Sequence, residues 1–515
     1  MKSVMQHMFS QIPRADIPRS SFNRSCGLKT TFDSGYLVPI FVDEALPGDT
    51  FNLNMTGFAR MATPLHPFMD NIHMDTFFFS VPVRLIWENW QKFHGEQINP
   101  GDSTDYVVPI MAAPAATGYA NQSLSDYFGI PTGVADLEHS SLWHRAYNLI
   151  FNEWFRDQNL IDSITVDTDD GPDDPTDYVL QRRGKRHDYF TSCLPWPQKG
   201  DAVDLPLGTK AYIAVDQGET QAVSIYSSVE GENRYLYNNA GRIAVDAGNT
   251  TTESRFLYAD LTDATAATIN ELRQAFQLQK LFERDARGGT RYIEIVKSHF
   301  GVTSPDLRAT RPEYLGGGTS RININPVAQT SSTDATTPQG NLAAFGVGAL
   351  HGHGFTKSFT EHCVLIGLVS VRADLTYQQG LDRMFSRSTR FDYYYPALSH
   401  IGEQAVLNKE IYADGSANDD DVFGYQERYA EYRYKPSKIT GKMRSNDPQT
   451  LDSWHLAQDF SSLPSLNESF IQENPPIDRV IVVETEPQFL FDSYFSLKCA
   501  RPMPVYSVPG LIDHF

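Results

Sequence analysis

Apolar and polar residues alternate with a period of two in several separated stretches of this chain. In DTFNLNMTGFARMA, Phe51, Leu53 and Met55 alternate with Asn52, Asn54 and Thr56, the pattern of a strand with one face buried and one in water. GYLVPIFVDEA before it and NIHMDTFFFSVPVRL after it read as strands too, and LPGD supplies the turn between the first two. Near the C-terminus Phe489, Phe491, Phe495, Leu497 and Cys499 share one strand face, while Asp492, Ser496 and Lys498 share the other. HCVLIGLVSV is apolar throughout, as a strand buried on both sides requires.

Two stretches carry the helical period instead. In SLWHRAYNLIFNEWFRDQNL (141–160), Leu142, Ala146, Leu149, Ile150 and Trp154 recur at helical spacing. Trp143, Tyr147, Phe151 and Phe155 widen the apolar surface to most of the circumference, which predicts a helix that is buried or sits at an interface. The second helix starts at a capping box of Thr268 and Glu271 and runs to about Arg287, where Gly288 and Gly289 end it. RPEYLGGGTSRININPVAQTSS reads as a glycine-rich polar loop.

Residues 1–30 read as an extended arm. Pro13 and Pro18 block helix there, and Arg14, Arg19, Arg24 and Lys29 outnumber Asp16. A main body spans 31–500, and 501–515, with three prolines, is an extended tail. Residues 201–263 change texture, with short β-like runs and ten acidic against four basic residues, and read as an excursion from that body. Strands early, strands late and long irregular insertions between them predict an all-β barrel or sandwich with elaborated loops and a few helices.

Composition narrows the function. The 515 residues include 62 aromatics, 30 Pro and 35 Gly, which favours strands and structured loops. A net charge of −20 repels nucleic acid in bulk, so any such contact needs a local basic patch. One exists in RRGKRH: Arg182, Arg183, Lys185, Arg186 and His187, followed by Tyr189, Phe190 and Trp196. Cations beside aromatic faces suit single-stranded nucleic acid. The same cluster could equally be a surface feature paired with the acidic loop DTDDGPDDPTD (167–177) just before it. That loop misses the calcium-loop spacing and reads as an exposed, solvated turn.

Cys26, Cys193, Cys363 and Cys499 are far apart and form no CxxC pair, so they are expected as small apolar residues in a reducing compartment. The N-terminus has no apolar run of signal-peptide length. Arg84 and Arg372 interrupt the longest apolar runs, so no membrane insertion is expected.

The stretch HGHGFTKSFTEHC holds His351, His353, Glu361, His362 and Cys363, all able to bind a transition metal. A cupin-type site places a Glu four or five residues after His-x-His, but here Lys357 and Ser358 stand there and Glu361 comes eight residues after His353. The stretch is therefore expected to lead from an irregular loop into a buried strand, with no metal and no cofactor. YLGGGTSR lacks the lysine of a phosphate loop, and no nucleophile elbow or HExxH is present. A metal-dependent enzyme or a sugar-binding lectin on a similar barrel is the alternative reading.

Longer strings carry a resemblance. SFNRSCGLKTTFDSGYLVPIFVDEALPGDTF, RAYNLIFNEWFRDQNL, GKRHDYFTSCLPWPQKG and EHCVLIGLVSVRADLTYQQGLDRMFSR together closely resemble the major capsid proteins of gokushovirus-type microviruses, small icosahedral bacteriophages with single-stranded DNA. The resemblance runs from about residue 10 to the proline-rich tail, with 201–263 outside it. It implies an eight-stranded antiparallel jelly roll with long loop insertions. It also implies a structural role in the virion, assembly as an icosahedral shell in the bacterial host cytoplasm, and no enzymatic activity. The 201–263 insertion is then expected to project outward and meet a host surface receptor. The implied partners are copies of the chain, the packaged single-stranded DNA, a small basic internal phage protein and other phage structural proteins. In this setting Arg182, Arg183, Lys185 and Arg186 are the candidate nucleic-acid contacts.

Overall fold

Nine antiparallel strands form the main sheet of the chain, seen in a computed structural model that describes residues 18–201, 203, 224–227, 232–239, 242–245, 255–256, 269–303, 310–333 and 338–506. They are β1 (Ser20–Asn23), β2 (Cys26–Phe32), β3 (Val38–Ala45), β4 (Thr50–Met61), β5 (Ile72–Pro82), β6 (Glu313–Ala328), β7 (Leu342–Ser358), β8 (Cys363–Ala373) and β9 (Phe489–Arg501). The hydrogen-bonded order is β1-β9-β4-β7-β6-β5-β8-β3, and β2 also pairs with β9. β1 and β2 lie end to end along one flank of β9, with Ser20 opposite Arg501 and Phe32 opposite Phe489. Taken as one edge strand broken at Arg24 and Ser25, they leave eight strands in two sets, first-eighth-third-sixth and second-seventh-fourth-fifth. That is the strand order of a jelly roll. β6 joins the sets by turning a corner: up to Ile322 it pairs with β5, and from Asn323 it pairs with β7.

The expected alternation sets the strands' faces. β4 buries Phe51, Leu53 and Met55, and β9 buries Phe489, Phe491, Phe495, Leu497 and Cys499, while Asn52, Asn54, Asp492 and Lys498 face outward. The inward residues join Phe41, Phe78, Phe355 and Leu365 in the barrel interior. Each such side chain contributes about 1.5–3 kcal/mol by leaving water.

β8 is buried at every position because it has apolar cover on both faces. Leu365, Val369 and Val371 enter the barrel core, while Val364, Ile366 and Leu368 meet a second layer. That layer includes α1 (Leu142–Ile150), with Ala146, Tyr147 and Ile150 against the sheet.

The sequence pattern mispredicts three stretches. The helix expected over 141–160 ends earlier: α1 passes into a π-helical turn at Phe151–Phe155 and the chain leaves it at Arg156. Asn152 is pinned to Ile164 by hydrogen bonds in both directions, 2.8 and 3.1 Å, which holds the following chain off the helical path. The expected loop at RPEYLGGGTSRININPVA is the 16-residue strand β6. Its glycines permit close approach: a Cβ on Gly318 would meet the His353 ring at 2.7 Å. The expected irregular loop around HGHGF lies inside β7.

The described chain divides into two compact units, one formed by the residues up to Pro197 and from Thr290, the other by Gln198–Gly289. Within the second unit, residues 224–227, 232–239, 242–245 and 255–256 form an antiparallel sheet, and Ile269–Arg287 form the expected second helix, α2. The Thr268 cap lies outside the described residues, as do residues 1–17 of the expected arm and 507–515 of the expected tail.

Candidate nucleic-acid interface

Residues 181–187 run across the outer side of the jelly roll as an extended segment with its own backbone partners. Leu37 N donates to Gln181 O (2.9 Å) and Arg183 N to Gly35 O (2.7 Å). Lys185 N donates to Ile471 O (2.7 Å) and Glu473 N to Arg183 O (2.6 Å). This fixes where each of the four candidate cations points.

Arg182 stacks on the Tyr36 ring at 4.1 Å and donates to Asn474 Oδ1 (3.0 Å) and Glu473 O (3.2 Å). Arg183 lies over Phe77 and donates to Asp75 Oδ2 at 2.5 Å. Asp75, buried on β5, also accepts from Arg372 Nε (2.8 Å) and Thr319 Oγ1 (2.7 Å). Burial works to raise the Asp75 carboxyl, but the hydrogen bonds from Arg183 and Thr319 outweigh it and hold it below the usual carboxylate range. Lys185 is buried, with Nζ 4.7 Å from the Phe470 ring centre. Burial lowers its ammonium and raises the carboxyl of nearby Glu473. Of the four, Arg186 alone is exposed, and His187 beside it is exposed too. The acidic loop is not what neutralises the cluster. Its Asp173 is buried, not solvated, and pairs with the fully buried Arg145 of α1; Tyr178 donates to the same carboxylate at 2.9 Å.

Arg186 opens onto a cleft of about 540 Å³. Its floor is aromatic: Phe77 and Phe155 have ring centres 5.2 Å apart, and Phe79 and Tyr314 5.6 Å. Trp154 forms part of the wall, its indole N–H donating to Pro312 O at 2.9 Å. Arg156, Arg291 and His187 share the rim with Arg186. Burial, and then the charge of Arg291, lower the Arg156 guanidinium from its ordinary value, while Arg291 itself pairs with Glu153 at 3.3 Å and Glu294 at 3.2 Å. Chemically, the cleft offers ring faces and cations together. Sequence reading missed Arg156, Arg291 and Tyr314. The aromatic side of the 141–160 stretch was the one signal, since it already placed Phe155 on an apolar surface too wide for one neighbour.

The histidine-rich stretch does not converge. β7 carries a bulge between Leu350 and His353 with Gly352 at φ +74°, so His351 faces outward and His353 inward instead of sharing a face. His353 Nδ1 lies 2.7 Å from Thr76 Oγ1, and Nε2 lies 3.2 Å from Ser320 Oγ. Glu361 pairs with Arg84 at 2.8 Å, and His362 lies against His94 and Trp90. Cys363 is in the barrel core, where burial pushes its thiol up to about 12. No group of three His, Cys, Asp or Glu side chains able to hold a metal occurs among the described residues. No helix among them is long and apolar enough to cross a membrane.

The strand order defines the class: a jelly-roll protein, an architecture shared by capsid subunits, lectins and cupins. Comparison with known proteins decides among these. The chain belongs to the phage capsid protein (F protein) family, whose model matches residues 10–511. It is 52 % identical to Capsid protein VP1 of Bdellovibrio phage phiMH2K over 526 aligned residues, covering 99 % of this chain and 98 % of the relative. Capsid protein VP1 of Chlamydia phage 1 is 47 % identical, with the same coverage. Capsid protein VP1 of Spiroplasma virus 4 is 37 % identical over 98 % of this chain and 97 % of that protein. The chain is therefore a structural capsid protein of a gokushovirus-type microvirus, not an enzyme, and it builds a multi-subunit phage capsid.

Proposed function

We propose that identical copies of this chain tile a closed icosahedral shell around a single-stranded DNA genome, and that the cleft beside Arg186 contacts that DNA. The observation that carries the second part is the pairing of an aromatic floor with a cationic rim in a chain of net charge −20. Bases stack on rings without regard to sequence, and cations release condensed counterions from phosphates. Arg182, Arg183 and Lys185 act here as supports, holding the segment that presents Arg186. In this reading a small basic internal protein shares the inner surface, and assembly takes place in the bacterial cytoplasm.

Replacing Arg186 with Gln tests the cleft. DNA retention by assembled particles should weaken, and the logarithmic salt slope should fall by about one. Unchanged retention with an unchanged slope would exclude the cleft as a genome contact.

The same reading gives the 201–263 insertion an outward position and contact with a host surface receptor. Its support is the change of texture at 201–263 and the division that sets Gln198–Gly289 apart. Exchanging 201–263 for the corresponding stretch of a relative should alter adsorption to host cells and leave assembly intact. Failure to assemble would assign the insertion a structural role instead.

A further inference from the structure

Residues 381–401 carry large apolar and aromatic side chains that the described residues leave exposed. Met384, Phe385, Phe391, Tyr393, Tyr394 and Tyr395 are between 47 % and 68 % exposed, on a segment built from short 3-10 turns. Tyr393, Tyr394 and the backbone at Phe391 are held in place. Tyr394 packs on Tyr429 at 5.3 Å, and Arg428 and the Tyr429 hydroxyl both donate to Phe391 O, at 3.1 and 3.2 Å. Arg387 lies over both Tyr393 (5.3 Å) and Tyr432 (4.3 Å). A surface ordered in advance loses little freedom when a partner arrives.

Charge identifies the partner. Residues 383–395 and 428–444 are joined by the contacts just given and by the Lys438–Asp382 ion pair. With the paired Asp382 and Glu427 included, residues 382–395 and 427–444 hold nine Lys and Arg against four Asp and Glu, a local +5 that leaves −25 on the rest of the chain. Tyr, Phe, Met and Arg are also the residues enriched in well-covered protein interfaces. Nucleic acid fits less well. Arg387 already occupies ring faces of Tyr393 and Tyr432 that a base would stack on, and it pairs with Glu431 at 3.4 Å.

We infer that this aromatic, cationic surface receives an acidic face of a second copy of the chain. A surface of +5 is not complementary to itself, so the contact is heterologous, the kind that closes into rings. The inference rests on the shell-assembly reading above and adds to it the surface through which one copy grips the next.

The test uses the full chain co-expressed with its particle-forming phage partners. The variant F385S/R390E/Y395S alters three exposed side chains. It should fold, by near-ultraviolet circular dichroism, yet give at least about tenfold fewer particles on a sucrose gradient, as loss of interface anchors does. Amides of 381–401 should also exchange more slowly in wild-type particles than in unassembled wild-type subunits; should the variant misfold, this comparison alone decides. Equal particle yields with equal exchange rates would overturn the inference. So would a variant that assembles normally but loses affinity for an oligothymidylate, which would make the surface a nucleic-acid site. A wild-type chain that never forms particles would instead sink the shell-assembly reading itself.

Discussion

Phe41 of β3 and Phe495 of β9 stand with ring centres 5.3 Å apart, although β3 ends the hydrogen-bonded path of the sheet and β9 lies beside its other end. The barrel closes here through side chains, not through a backbone ladder. Arg24, at the break between β1 and β2, reinforces the closure with two hydrogen bonds to Asp43 of β3, 2.7 and 2.9 Å. Phe495 is 1 % exposed, so Phe495→Ala should cost about 3–5 kcal/mol, by lost burial and the cavity left behind. Leu490 faces outward on the same strand, and Leu490→Ala should stay within about 0.5 kcal/mol. Denaturant midpoints of the two variants check the contrast.

Asp75 ties three elements together through Arg183, Thr319 and Arg372. Asp75→Asn should destabilise by about 3–5 kcal/mol, because two largely buried guanidinium groups lose their countercharge. The folded carboxyl lies below its unfolded value. Its stabilisation is therefore complete above the unfolded value near 3.8 and is lost as pH falls through the lower folded one. Acid unfolding curves of wild type and variant should converge at the lowest pH. Arg186→Gln, by contrast, should leave stability unchanged, which separates the supporting cations from the exposed one.

Gly318 gives room to the His353 ring. Gly318→Ala should destabilise by about 1–3 kcal/mol through overpacking. Adding His353→Ala should recover part of that loss, so the double variant should be more stable than the two single effects added together. Strict additivity in thermal unfolding would show that the two residues do not meet.

His144 is fully buried beside Ser125, and burial, followed by the nearby His139, pushes its imidazole down to about 3. The unfolded chain takes up this proton near 6.5 and the folded chain does not until about 3. This residue thus leaves stability unaffected above 6.5 and reduces it progressively as pH falls from 6.5 towards 3. His144→Gln should lessen the slope between those limits by up to about 1.4 kcal/mol per pH unit. A slope identical to wild type in pH-dependent unfolding would contradict the assignment.

The strands whose two faces meet different media were legible in the sequence, because burial writes itself into a period of two: β4 and β9 follow it almost residue by residue. β8 was legible for the opposite reason, having no wet face. β6 and the first half of β7 were not. Gly316–Gly318 mark backbone and ring contacts made by residues distant in the chain, and the bulge at Gly352 breaks the alternation that would have placed His351 and His353 together. The candidate site was legible only as a cluster of charge. Tyr36, Asp75 and Phe470 decide which cations are spent inside the fold, and each lies more than a hundred residues from the cation it holds.

Electron microscopy of this chain co-expressed with its phage partners, with the DNA content of the same gradient fractions, tests the central claim most directly. Closed icosahedral particles holding single-stranded DNA are expected; chains that stay monomeric under assembly conditions, or closed particles that never enclose DNA, would contradict it.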